Sequence, residues 1–115
     1  MRALIAATLR ADGCDVVEAR DGLELVAIVA PAERSGMAFD LIVSDLRMPE
    51  RSGMEALGAL RDEGVRTPYL LITAFGDDET HRDARQLGAV AVLDKPFDLD
   101  WLCALVRAAV EPPRG

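Results

Sequence analysis

Leu41-Ile42-Val43-Ser44-Asp45 is a short apolar run that ends on a carboxylate. A run of this length and composition reads as a strand buried on both faces, the pattern of a parallel sheet covered by helices. Two later runs end in the same way on residues that can do chemistry: Leu70-Leu71-Ile72-Thr73, and Val90-Ala91-Val92-Leu93-Asp94-Lys95. The carboxyl ends of parallel strands share one edge of their sheet, and open α/β sheets place their sites at that edge. The three runs therefore predict that the Asp45 carboxylate, the Thr73 hydroxyl and the Lys95 ammonium converge. Lys95 is the single lysine of the chain, against twelve arginines.

Outward from these runs, the chain alternates between strand-like and helix-like stretches. Residues 2–12 read as a helix with Leu4, Ile5, Thr8 and Leu9 on one face. Gly13 ends it, and residues 14–19 (CDVVEA) read as a short strand. Asp21 and Glu24 can cap a helix over 22–30, and the stretch from Pro31 to Ala38 reads as a loop. After the strand at 39–44, Ser52 and Glu55 form a capping box for a helix at 53–63, which Gly64 stops. A strand at 69–73, a helix at 78–87, a strand at 89–93 and a helix at 99–110 capped by Asp98 complete the chain. One helix followed by four strand–helix pairs implies right-handed crossovers and a doubly wound α/β sheet. No strand precedes the first helix, so a four-stranded sheet lacking one member is expected.

Composition sets limits on function. The 115 residues suit one domain with a single buried core. Half of them are hydrophobic and few are aromatic, which fits a helix-covered sheet. The net charge of −7 argues against direct contact with nucleic acid or an anionic membrane surface. No signal peptide and no membrane-spanning stretch is evident, so a cytoplasmic location is expected. Cys14 and Cys103 read as two isolated, reduced thiols rather than a disulfide or a metal site.

Several motifs fall at the strand ends: Asp45-Leu46-Arg47-Met48-Pro49 with Gly53 closing the loop, Leu71-Ile72-Thr73-Ala74, and Lys95-Pro96-Phe97. The connecting pieces ADGCDVVEARDG at 11–22 and LGA at 87–89 accompany them. Together and in this order they resemble the receiver domain of two-component response regulators, from about Met1 to Val110. The resemblance implies a flavodoxin-like, CheY-like fold with strand order 2-1-3-4-5. It also implies phosphorelay signal transduction, in which an aspartate takes a phosphoryl group from a histidine kinase or phosphotransfer protein with the help of Mg²⁺. By that resemblance Asp45 is the phosphoacceptor, Thr73 the switch hydroxyl and Lys95 the cation that binds the phosphoryl group. Asp45 and the backbone carbonyl of Arg47 would be metal ligands, and the Lys95–Pro96 peptide would be cis, an isomer open to X–Pro bonds at modest cost.

The chemistry accounts for these residue types. A carboxylate attacking a phosphoryl group brings two anions together, and the protein must cancel charge and hold the atoms in line. Lys95 supplies a compact positive charge. Thr73 can donate to one equatorial oxygen, and amides after Asp45 can donate to others. Two features depart from the family pattern. Its pair of acidic metal ligands ends a first strand that would precede residue 1, so an N-terminally truncated single domain over 1–115 is expected, with Mg²⁺ bound weakly or not at all. Val92 stands where the family usually has an aromatic ring that follows the switch hydroxyl. For the gap beside the strand at 39–44 there are three candidate solutions: direct closure onto 14–19, a hairpin made from residues 2–9, or pairing with a second molecule, which would make a homodimer through open sheet edges. The face formed by residues 78–110 is a second candidate dimer surface.

Two other functions compete with the phosphoacceptor. A non-phosphorylated pseudo-receiver would act as a protein-binding module through the 78–110 face. An aspartyl-nucleophile phosphatase would need a second carboxylate near Asp45 as general acid, and residue 47 is Arg. His81, amid charged neighbours, reads as a surface residue. Trp101 reads as the rim of a buried stripe with Leu102, Leu105 and Val106. A signalling module rather than an enzyme is the expectation.

Overall fold

The computed structural model describes residues 2–37, 39–47, 51–74 and 77–110. Five helices and three strands follow one another: α1 Arg2–Ala11, α2 Gly22–Arg34, β1 Ile42–Asp45, α3 Gly53–Asp62, β2 Tyr69–Thr73, α4 Asp78–Gln86, β3 Ala89–Asp94 and α5 Leu99–Val110. The sheet is parallel throughout, in the order β1-β2-β3. Asp45 stands opposite Ile72, and Thr73 opposite Asp94.

Alternation along β2 divides the core in two. Tyr69 and Leu71 face a cluster built with Leu25 and Val29 of α2, Leu57 and Leu60 of α3, and Ala84 of α4. Leu70 and Ile72 face the other way, against Ile5 and Leu9 of α1 and Leu102, Cys103 and Val106 of α5. All five residues of β2 are buried, which is why the strand is apolar up to Thr73 apart from the Tyr69 hydroxyl. The doubly wound α/β arrangement inferred from the sequence is thus present.

Three details differ from the sequence reading, while the helix expected at the N-terminus is present. Residues 14–19 form no strand, and the sheet has three strands among the described residues rather than four. A strand exists only through its ladder, and this segment is not paired with β1, so direct closure does not occur. Residues 2–9 stay helical, which removes the hairpin solution. Helix α2 runs four residues further, through Pro31 to Arg34. Proline removes one internal hydrogen bond, but Ala30 is buried, Ser35 and Met37 N–H groups cap the last turn, and Arg34 Nη1 meets Glu63 Oε1 at 3.1 Å. Finally, Leu4 and Trp101 are more than half exposed, at 54% and 58%. The buried stripes shift by one position, to Ile5-Ala6-Leu9 and Leu102-Cys103-Val106.

Asp21 and Ser52 cap α2 and α3 as the sequence indicates, with the full capping box at Ser52–Glu55. Glu24 reaches back to the N–H of Arg20 rather than to its cap residue. No described helix is long and apolar enough to cross a membrane.

Candidate functional site at the carboxyl edge of the sheet

Two backbone hydrogen bonds carry the ladder beyond the ends of the strands. Leu46 N–H donates to Ile72 O at 2.7 Å, and Lys95 N–H donates to Thr73 O at 2.7 Å. These bonds place the residues after β1 and β3 on either side of β2. As a result Lys95 Nζ lies 2.7 Å from Asp45 Oδ2, across 50 residues of sequence. Both side chains are about one-third exposed, so the pair is open to a reactant yet partly shielded from water. Thr73 sits on the strand between them, one position beyond Ile72, and is buried. The edge therefore holds the carboxylate and the ammonium in contact, with the alcohol on the intervening strand.

The second carboxylate oxygen, Oδ1, accepts from the Arg47 N–H at 3.2 Å. Gly53 closes the connection to α3: its N–H donates to Leu46 O at 2.8 Å. A side chain here is impossible without movement, because a Cβ would overlap the Asp45 carbonyl and lie 2.6 Å from Ser44 Oγ. The Lys95–Pro96 peptide is cis, as the resemblance implied, and Phe97 packs on the α1–α5 side of the core. Met48 and Pro49 fall outside the described residues.

Asp94 has its own partner. His81 Nε2 is 3.2 Å from both of its carboxylate oxygens, which joins α4 to the end of β3. Asp94 is therefore not the counter-ion that holds Lys95 away from Asp45. Sequence reasoning left His81 as a plain surface residue, and no spacing rule could have paired it across 13 positions. It also missed the buried polar group bonded to Gly53. The Tyr69 hydroxyl donates to Gly53 O at 3.0 Å, with Ser44 alongside, and burial raises the phenol pKa to about 12. The signal available was a lone tyrosine opening an otherwise aliphatic strand.

Val92 packs half-buried against the α2–α4 side of the core. Glu18 is paired with Arg10 at 3.3 Å, and Asp21 is held by the Glu24 N–H. Among the described residues no three His, Cys, Asp or Glu side chains form a metal cluster. Magnesium takes hard oxygen ligands in near-octahedral array, and the Asp45 carboxylate already accepts from Lys95 and Arg47. The described residues alone do not make such a cage.

The family model for the response regulator receiver domain matches residues 1–107. The chain belongs to the response regulator receiver domain family. Among curated relatives, the response regulator protein PmrA of Pseudomonas aeruginosa is 39% identical over 111 residues, covering 96% of this chain and 48% of the relative. The transcriptional regulatory protein PdtaR of Mycobacterium tuberculosis is 33% identical over 107 residues, covering 92% and 49%. The chain thus spans less than half the length of these relatives.

Solved structures agree with this receiver fold. The receiver domain of Francisella response regulator 1452 superposes with a TM-score of 0.82 at 27% identity, covering 94% of this chain and 85% of that one. The chemotaxis protein CheY4 of Vibrio cholerae gives 0.78 at 30% identity, covering 95% and 88%. The receiver domain of the sensor histidine kinase PA1611 of Pseudomonas aeruginosa gives 0.77 at 27%, covering 93% and 85%; that structure has a magnesium ion coordinated in its active-site cleft. Receiver domains in general are signalling modules of two-component systems, and this one has the flavodoxin-like fold.

Proposed function

We propose that this receiver domain accepts a phosphoryl group on Asp45 from a histidine kinase or phosphotransfer protein and passes the signal on through a change in its surface. The observation that carries this reading is the 2.7 Å contact between Lys95 Nζ and Asp45 Oδ2 at the shared strand edge. In the transfer, a carboxylate oxygen of Asp45 forms a bond to phosphorus. The bond from phosphorus to the donor's imidazole nitrogen breaks, and its electron pair leaves with the imidazole. Lys95 stays against the new acyl phosphate as counter-charge, and Thr73 can donate to one of its oxygens.

Intact mass after incubation with a small acyl-phosphate donor tests the reading. Wild type should gain one phosphoryl group and Asp45→Asn none. A wild type that gains nothing refutes the acceptor role and leaves the binding-only pseudo-receiver.

Metal affinity follows from the same donor set. With Asp45 and the Arg47 carbonyl as the candidate ligands among the described residues at this edge, Mg²⁺ is bound weakly. Calorimetric titration should show no saturation at sub-millimolar metal, and tight binding would contradict this. Among the described residues β1 pairs with one strand only, which supports self-association through its outer edge. Sedimentation should then reveal dimers that grow with concentration, whereas a monomer at every concentration excludes them.

A further inference from the structure

We infer that Tyr69 is a positioning residue for Asp45, acting through Gly53. This rests on the reading of Asp45 as phosphoacceptor. Tyr69 has no exposed surface, and it opens a strand whose other members before Thr73 are Leu70, Leu71 and Ile72. A hydroxyl placed in such a core is costly unless it is hydrogen-bonded. Aliphatic side chains fill this space elsewhere in the same cluster without that cost. The phenol therefore contributes something a leucine would not.

That contribution is a fixed anchor. Tyr69 Oη donates to Gly53 O at 3.0 Å, and Ser44 lies within hydrogen-bonding reach of the same phenol. Gly53 in turn donates its N–H to Leu46 O at 2.8 Å and lies so close to the Asp45 carbonyl that no Cβ fits between them. Ser44 Oγ donates to that same Asp45 carbonyl at 3.1 Å. The backbone carbonyl of Asp45 is thereby held by Ser44 and Gly53, while Lys95 holds its side chain. Tyr69 enters the sheet opposite Ile42, at the far end of β1 from Asp45, so the length of the ring spans from the strand to the first residue of α3. A leucine or valine at position 69 is too short to reach Gly53. In-line transfer tolerates little misplacement: about 1 Å can change a rate by roughly 100-fold.

Tyr69→Phe keeps the ring and removes only the donor. The expected result is a maximal rate of phosphoryl acceptance from a small donor lowered about tenfold, with the donor concentration at half-maximal rate unchanged, the pattern of lost positioning. In the same variant the Gly53 N–H should exchange with solvent faster, while amides of the α3 interior, such as Leu60, stay as protected as in wild type. Val65→Ala, which thins the same core cluster at the opposite end of the sheet, should leave the acceptance rate unchanged. An unaltered maximal rate in Tyr69→Phe overturns the inference, as does an equal loss in Val65→Ala. If wild type itself takes no phosphoryl group, the acceptor reading fails. Unchanged Gly53 exchange in Tyr69→Phe would then separately remove the anchor.

Discussion

The Arg61 side chain at the end of α3 reaches across to Leu87, with Nε 2.8 Å from the Leu87 carbonyl oxygen at the turn between α4 and β3. The same guanidinium donates to the carbonyls of Val65, Thr67 and Gly88. Four carbonyls from two chain turns thus share one planar cation, which suits arginine's fixed fork of donors. Desolvation by burial lowers the Arg61 pKa, with Arg66 adding to that effect.

Replacing Arg61 with Met keeps the aliphatic stem and strips these four bonds. Three of these bonds are partly buried, so stability should fall by about 2 kcal/mol. Urea unfolding should show a lower midpoint with an unchanged slope. A loss within experimental error would mean that water replaces the guanidinium freely.

Two glycines of α3 should respond in opposite directions to the same substitution. Gly53→Ala forces a methyl group into the Asp45 carbonyl and Ser44 Oγ, and should destabilise the domain while displacing Asp45 from Lys95. At Gly58 the nearest atom to a new Cβ is Leu87 Cδ1 at 4.0 Å. Gly58→Ala should therefore stabilise the helix by about 0.5–1 kcal/mol. Thermal melts of the two variants check both signs.

Asp77 caps α4 by accepting from the Thr80 N–H at 2.8 Å. The backbone N–H of Thr80 holds the Asp77 carboxyl below its ordinary range, with the Thr80 hydroxyl and His81 acting in the same direction. Because the folded-state pKa is the lower one, the cap's contribution is complete above the ordinary aspartate pKa of about 3.9 and is lost as pH falls through the folded-state value. Amide exchange in the first turn of α4 should accelerate over that acid window. Asp77→Asn should retain the cap and abolish this pH dependence, since both residues are good N-caps. An identical acid profile in the Asn variant would assign the effect to another group.

Legibility in the sequence followed the locality of the cause. The runs at 41–45, 70–73 and 90–95 announced a parallel sheet because burial on both faces demands unbroken apolar residues. Their last members met at one edge because strand direction allows nothing else. Ser52–Glu55 and Asp21 were readable as caps because capping is settled within four residues. Residues 14–19 were misread because local composition reports a tendency to extend, whereas a strand also needs a neighbour. Pro31 was misread because burial of Ala30 and the tie from Arg34 to Glu63 outweigh one missing hydrogen bond. His81 with Asp94, Arg61 with Leu87 and Tyr69 with Gly53 join residues 13, 26 and 16 positions apart. Such pairings are set by packing, and no local pattern encodes them.

The central claim is that Asp45 is the residue that takes the phosphoryl group. Borohydride reduction after treatment with an acyl-phosphate donor converts an acyl-phosphorylated aspartate to homoserine, and peptide mass mapping then locates the altered residue. The account predicts homoserine at position 45 in wild type, with a marked loss of labelling in Lys95→Met. Labelling at another carboxylate, or none at position 45 under conditions that phosphorylate a known receiver domain, would contradict it.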